Sequence, residues 1–199
     1  MSELLISFTS LALVNHLVLV HVLGLEAWAA SPDGMRRSLV FGLCTAIMLS
    51  LVSLAGWIIL KLAAVIGDET TVTWLALPVF ALLAAMLVPL LQSAVQRYAP
   101  ADAVAMKDVM PLAAVNSAVI GTALSAWQRL DGLLDVAGFV ISSAVAFVVF
   151  LMVFAAIRER TSTSDVPFAF QGTPVVLLSA AIMSLAIMAF DGVAPPWVP

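Results

Sequence analysis

The chain has 199 residues, 63% of them hydrophobic and only 10% charged, with a net charge of −4 and a mean hydropathy of +1.16. Soluble domains are nearer half apolar and a quarter charged, so lipid must be the solvent for much of this surface and a soluble enzyme is excluded. No basic stripe offers itself to nucleic acid, and no glycine-rich phosphate loop or Ser-His-Asp constellation is present.

The opening MSELLISF holds Glu3 and no Lys or Arg before the apolar run, which does not fit a cleavable signal peptide. A membrane-spanning helix needs about 20 mostly apolar residues. Six stretches meet that need: 4–25, 38–60, 72–91, 109–127, 136–157 and 173–190. Helices are the expected form, because backbone groups in lipid must be satisfied within their own segment. The expected fold class is therefore all-α integral membrane, with six transmembrane helices.

Turn-rich text separates the spans: SPDG at 31–34, GDETT at 67–71, RYAPAD at 97–102, RLDG at 129–132 and RERTSTSD at 158–165. Cys44, the single cysteine, lies in the second span and reads as a small buried hydrophobe. It permits no intrachain disulfide and no thiolate metal cage built from this chain alone. Pro78 and Pro89 fall inside the third span and predict kinks. Asp135 opens the fifth span and is expected to cap it.

Lysine and arginine set the expected direction. Arg36, Arg37, Arg97, Lys107, Arg158 and Arg160 flank the first, third and fifth loops, against Lys61 and Arg129 by the second and fourth. The positive-inside rule then puts the odd loops in the cytoplasm and both termini outside. Trp57, Trp74, Trp127 and Trp197 fall at the outer interface and Trp28 at the inner one, as an aromatic belt would have them.

The spans also echo one another. LALVN at 11–15 leads the first span, and LAAVN at 112–116 leads the fourth. Each phrase heads a block of three helices, and an odd number of crossings makes the second block enter from the opposite side. The expected organisation is one membrane domain built as an inverted 3+3 repeat, with repeat 1 at about 1–97 and repeat 2 at about 98–199. Asn15 and Asn116 each place an amide at membrane depth, which is costly unless it is hydrogen-bonded. Either each Asn ties up a break in its helix, or it bonds across a helix interface. The sequence leaves both readings of helices 1 and 4 open.

Four phrases carry a family resemblance: LVNHLVLVHVLGL at 13–25, PLAAVNSAVIGTAL at 111–124, FAAIRER at 154–160 and DVPFAFQGTPVVLLSAAIMSLAIMAF at 165–190. Together they resemble the A subunit of the Rnf complex and the E subunit of the sodium-translocating NADH:quinone reductase, Nqr, nearly end to end. The resemblance implies a six-helix inverted repeat in a bacterial inner membrane, paired with a paralogous subunit of opposite topology. It implies a [2Fe–2S] cluster shared by the pair, flavins in partner subunits, and electron flow coupled to movement of Na⁺ or H⁺.

This chain departs from the family at the ligands. The resemblance implies a cysteine after the GL of the first motif and another after the Asn of the second, where this chain has Glu26 and Ser117. Thiolates are the rule for such clusters, and oxygen is a hard donor at a soft site. The expectation is a divergent member with no cofactor of its own, no metal ligands and no catalytic residues. Its role would then be scaffold and ion path, within a complex that carries the enzymatic activity. Two alternatives stay open: electron transfer through a shared [2Fe–2S] cluster with unusual ligands, and a stand-alone small ion transporter.

The ion-path candidates are Asn15, His21, Glu26, Asn116 and Ser117. An ionisable group at membrane depth is a functional candidate by default. Glu26 could instead sit at the headgroups and pair with Arg36 or Arg37. His16 and His21 are five residues apart, about 140° around a helix, so they do not form a two-histidine metal site.

Overall fold

The computed structural model describes Gly24, residues 34–98, residue 100, residues 107–162 and residues 164–188. Among these residues all regular structure is helical. Helix α1 spans Met35–Ile66 and α2 spans Glu69–Tyr98. A short helix α3, Met110–Ala114, is followed by α4, Ser117–Arg129, and α5, Leu133–Ser162. A single 3₁₀ turn, Phe168–Phe170, leads into α6, Thr173–Met188. Four segments are long and apolar enough to cross a membrane: Met35–Ile66, Thr70–Tyr98, Met110–Arg129 and Leu133–Ser162, with the shorter Pro174–Ala186 beside them. The protein is an integral membrane protein of apolar helices. The first expected span, 4–25, lies outside the described residues apart from Gly24.

Helices α1, α2 and α5 outrun the spans expected for them. Helix α1 continues past Lys61 and stops at Gly67, whose N–H donates to the Ala63 carbonyl at 2.9 Å. GDETT gives only a two-residue turn, because α2 already starts at Glu69. Helix α5 runs on through Thr161 and Ser162, whose hydroxyls donate back to the carbonyls of Ile157 and Glu159. Helix α2 runs through both Pro78 and Pro89. Asp135 sits in the first turn of α5 rather than at its cap, where a carboxylate still suits the helix dipole.

Hydrophobicity does not mark the inner face of α1, α2 and α5, since they are apolar all round. On α1 the glycines fall on that face. On α1 the buried face runs through Ser38, Phe41, Gly42, Thr45, Met48, Leu49, Val52, Ser53, Gly56, Trp57 and Leu60. Small and weakly polar residues let neighbouring backbones come close. A Cβ added at Gly42 would lie 2.8 Å from Leu151 Cδ2 of α5, and one at Gly56 would run into the Phe80 ring of α2. The opposite faces carry bare aliphatic residues such as Leu62, Val65, Leu82, Met86 and Leu185, as lipid contact requires.

Helix α1 is central. It packs most extensively on α5, then on α4 and α2. Phe41, Phe80, Phe147 and Phe154 are fully buried where these helices meet. At one end of the bundle Lys61 ties α1 to the connection after α4. Its Nζ donates to Asp131 Oδ1 at 2.8 Å and lies 5.5 Å from the ring centres of both Trp57 and Trp127. Trp57 Nε1 donates to the Leu130 carbonyl at 3.2 Å beside it. Trp74 is 81% exposed, whereas Trp28 and Trp197 lie outside the described residues.

Candidate functional site

The site is built on a broken helix. Helix α3 ends at Ala114, Val115 leaves the helical conformation, and α4 starts at Ser117. Asn116 stands in the gap with extended backbone, φ −131° and ψ 165°. Its side chain serves both broken ends. Oδ1 accepts from the Val119 N–H at 2.9 Å, capping α4. Nδ2 donates to the carbonyls of Leu112 at 3.0 Å and Ala113 at 3.3 Å, closing α3. Asn116 is only 3% exposed, and in lipid such backbone ends must find a partner inside the protein. Of the two readings open for this residue, the break is the one observed. The amide bonds locally rather than across an interface.

The break points Ser117 at the first sequence motif. The Gly24 N–H donates to Ser117 Oγ at 2.7 Å across 93 residues of sequence. Gly24 has φ +82°, a left-handed conformation that glycine adopts without cost. It is also close-packed: an added Cβ would lie 2.9 Å from Ala118 Cβ and 3.0 Å from the Phe147 ring. The end of the 13–25 motif thus meets Ser117, the residue just past LAAVN, at one part-buried contact flanked by Ala118 of α4 and by Phe147 of α5.

Chemically, this contact is an oxygen-bearing break in a membrane helix, with the N-terminal end of α4 facing it. Among the described residues no group of three His, Cys, Asp or Glu comes together to hold a metal ion. Cys44 is buried within α1. Asn15, His21 and Glu26 lie outside the described residues.

The chain matches the family described as "Rnf-Nqr subunit, membrane protein" over residues 4–194. It belongs to the Rnf-Nqr family. Similar proteins from Citrobacter koseri and Yersinia enterocolitica are each named as the A subunit of an ion-translocating oxidoreductase complex. The first is 33% identical over 192 residues and the second 32%, each covering 96% of this chain and 98% of the relative. A protein of the same name from Serratia proteamaculans is 33% identical over the same shares of both chains. The likeness to these A subunits therefore runs along nearly the whole Rnf-Nqr chain.

Sequence reasoning singled out Asn116 and Ser117 in this Rnf-Nqr protein but missed Gly24 as the partner of Ser117. A usable signal was present, because a glycine closing a motif inside apolar text marks a close backbone approach. It also missed Ser53 and Thr122, two fully buried hydroxyls, since nothing in an apolar helix sets one serine apart from its neighbours.

Proposed function

We propose that this chain is a membrane subunit of an ion-translocating electron-transport complex of the Rnf/Nqr type, acting as scaffold and ion path rather than as a holder of iron–sulfur ligands. The observation that carries the reading is the Gly24–Ser117 hydrogen bond of 2.7 Å. It joins the first motif to Ser117, one of the two positions where the resemblance implies a thiol, and the atom there is a hydroxyl oxygen already accepting a backbone hydrogen bond. That donor does not fit a thiolate-held cluster, and the chain's one thiol, Cys44, is buried in α1.

The similar proteins carry the name of an ion-translocating oxidoreductase complex, which supports membership of such an assembly. The intimate packing of α1 on α5 supports the inverted 3+3 repeat. These are the second helices of the two expected halves, and a pseudo-two-fold axis brings equivalent elements together. The excess of Lys and Arg on odd loops supports both termini lying outside a bacterial inner membrane. A paralogous six-helix subunit of opposite topology, with flavin-bearing subunits beyond it, completes the assembly. Within this chain the ion path runs past Asn15, His21, Glu26, Asn116 and Ser117, and Glu26 is its ionisable group.

The test is made on the purified complex. Metal analysis and electron paramagnetic resonance of the paired membrane subunits should show no [2Fe–2S] signal that depends on Ser117. Ion uptake into liposomes, driven by electron flow, should fall in Glu26→Gln while the complex still assembles. A [2Fe–2S] signal abolished by Ser117→Ala would overturn the scaffold reading. Unchanged ion coupling in Glu26→Gln would put Glu26 at the membrane interface instead.

A further inference from the structure

Hydroxyls in these membrane helices follow a common rule. Thr45 Oγ1 donates to the Phe41 carbonyl at 3.1 Å and Ser50 Oγ to Ala46 at 2.9 Å. Ser142 and Ser143 both donate to Phe139, at 2.9 and 2.8 Å, and Ser179 donates to Val175 at 2.8 Å. Bonding back to the preceding turn is how a serine or threonine is normally satisfied inside a helix. Ser53 on α1 and Thr122 on α4 break the rule. Both are 0% exposed, and neither Oγ of Ser53 nor Oγ1 of Thr122 meets a hydrogen-bond partner among the described residues. A buried hydroxyl without a partner is destabilising and rare, and each instance calls for a ligand or a water.

The two hydroxyls sit on neighbouring helices at similar depth. Trp57 and Lys61, near the end of α1, contact Leu130, Trp127 and Asp131 at and beyond the end of α4. The two helices therefore run side by side in the same direction. One turn back from Trp57 is Ser53, about 40° round the helix from it, on the buried side of α1. One turn back from Ala126 is Thr122. Ala118, Thr122 and Ala126 form a fully buried strip of small residues on α4, of the kind that lets neighbouring helices approach closely, and α1 is the helix α4 packs on most extensively.

We propose that Ser53 and Thr122 hold a buried water between α1 and α4, the next polar station beyond Ser117 on the ion path. Its place on a path rests on the reading under Proposed function. The water itself rests only on the two unpartnered hydroxyls. Thr122 lies five residues past Ser117, about 7.5 Å along the axis of α4, and the Lys61–Asp131 pair lies further on at the end of the bundle. A water there donates to one hydroxyl oxygen and accepts from the other. Among the largely apolar buried residues of these helices it gives a proton or a partly dehydrated cation one polar stop.

The test uses the intact complex with Ser53→Ala, Thr122→Val and the double substitution. Thr122→Val keeps the side-chain shape and removes the hydroxyl. If one water bridges both groups, each single substitution lowers the melting temperature by roughly 2–4 °C. The double then falls no further than the worse single, because the same water is lost each time. A neutral or raised melting temperature in Thr122→Val, or additive losses in the double, overturns the water. An experimental density map read at water resolution gives an independent measurement. A peak within hydrogen-bonding distance of both hydroxyls supports the proposal, and a side-chain atom in that position overturns it. Ion uptake by the same variants separates the two readings. Coupled melting losses with reduced uptake support the station on the path. Coupled losses with unchanged uptake leave the water in place and overturn its position on the path, whereas failure of the ion-path reading itself is read from Glu26→Gln.

Discussion

The Gly24 N–H donates to Ser117 Oγ at 2.7 Å, tying the end of the first motif to the first residue of α4. Each side of this contact has a different constraint. Gly24 must be glycine twice over, for its φ of +82° and for the Ala118 and Phe147 atoms that crowd it. Ser117 must offer a small acceptor at the first residue of α4. A thiol would occupy the same place with little change in volume.

Removing the acceptor leaves the Gly24 N–H buried and unpaired. Such an orphan costs about 1–3 kcal/mol, so Ser117→Ala should lower the thermal stability of the protein by that amount. Ser117→Cys should cost less, since sulfur remains a weak acceptor. Gly24→Ala should be worse than either, because strain at positive φ adds to the clash with Ala118. Melting curves of the three variants in one detergent check the order. Gly24→Ala milder than Ser117→Ala would contradict it.

Asn116 holds the break with three hydrogen bonds, to Val119 N–H and to the Leu112 and Ala113 carbonyls. Asn116→Ala removes them all. Loss of the cap alone costs about 0.5–2 kcal/mol, and two carbonyls lose their donor as well. Asn116→Ser keeps an oxygen for the Val119 N–H and should recover part of the loss. Amide hydrogen exchange should localise the damage, with faster exchange at Val119 and in the first turn of α4, and little change in α1. Uniform acceleration across α1 and α5 would mean that the break is not a local unit.

Much of this architecture was legible in the letters, and what escaped had physical reasons. The long apolar runs gave the four described spans and the shorter helix beside them, because lipid imposes a minimum length on any helix that crosses it. Asn116 drew attention because an amide in apolar text must be bonded, yet its sequence could not choose between a break and an interface. Choosing needs the position of Val119 N–H relative to Oδ1, which is a tertiary fact. The inner face of α1 was invisible to hydropathy, as leucine points both ways. Ser38, Gly42, Ser53 and Gly56 mark it by size instead. Helix ends were misjudged at Thr161 and Ser162, whose hydroxyls are satisfied by bonding back within α5 where their residue type suggested a loop.

The close seams around α1 give a graded packing prediction. A Cβ at Gly56 runs into the rigid, fully buried Phe80 ring, whereas at Gly42 it meets only the end of the Leu151 side chain. Overpacking a tight core costs about 1–3 kcal/mol. Gly56→Ala should fall near the top of that range and Gly42→Ala near the bottom, as Leu151 can change rotamer and the ring cannot. Phe80→Leu in the Gly56→Ala background should restore part of the stability. Equal losses at the two glycines, or no rescue, would show that α2 shifts as a body to make room.

The Lys61–Asp131 pair makes a prediction about acid. Asp131 is fully exposed, and its carboxyl is held below the ordinary range, first by the hydrogen bond from Lys61 and then by the Lys61 charge. A group with a lowered folded-state pKa contributes stability above its unfolded value, about 3.9 for aspartate. That contribution disappears as pH falls through the lower folded-state value. The stability difference between the native chain and Asp131→Asn should therefore be constant between about pH 5 and pH 8 and shrink as the carboxyl protonates below about pH 4. Exposure and salt screening keep it small. Lys61→Met should cost more at every pH, because Lys61 also lies over the rings of Trp57 and Trp127. Melting temperatures across pH for the three proteins, at low and high salt, decide the matter. An Asp131→Asn effect that persists unchanged in strong acid would mean the asparagine disturbs the connection between α4 and α5 rather than the ion pair.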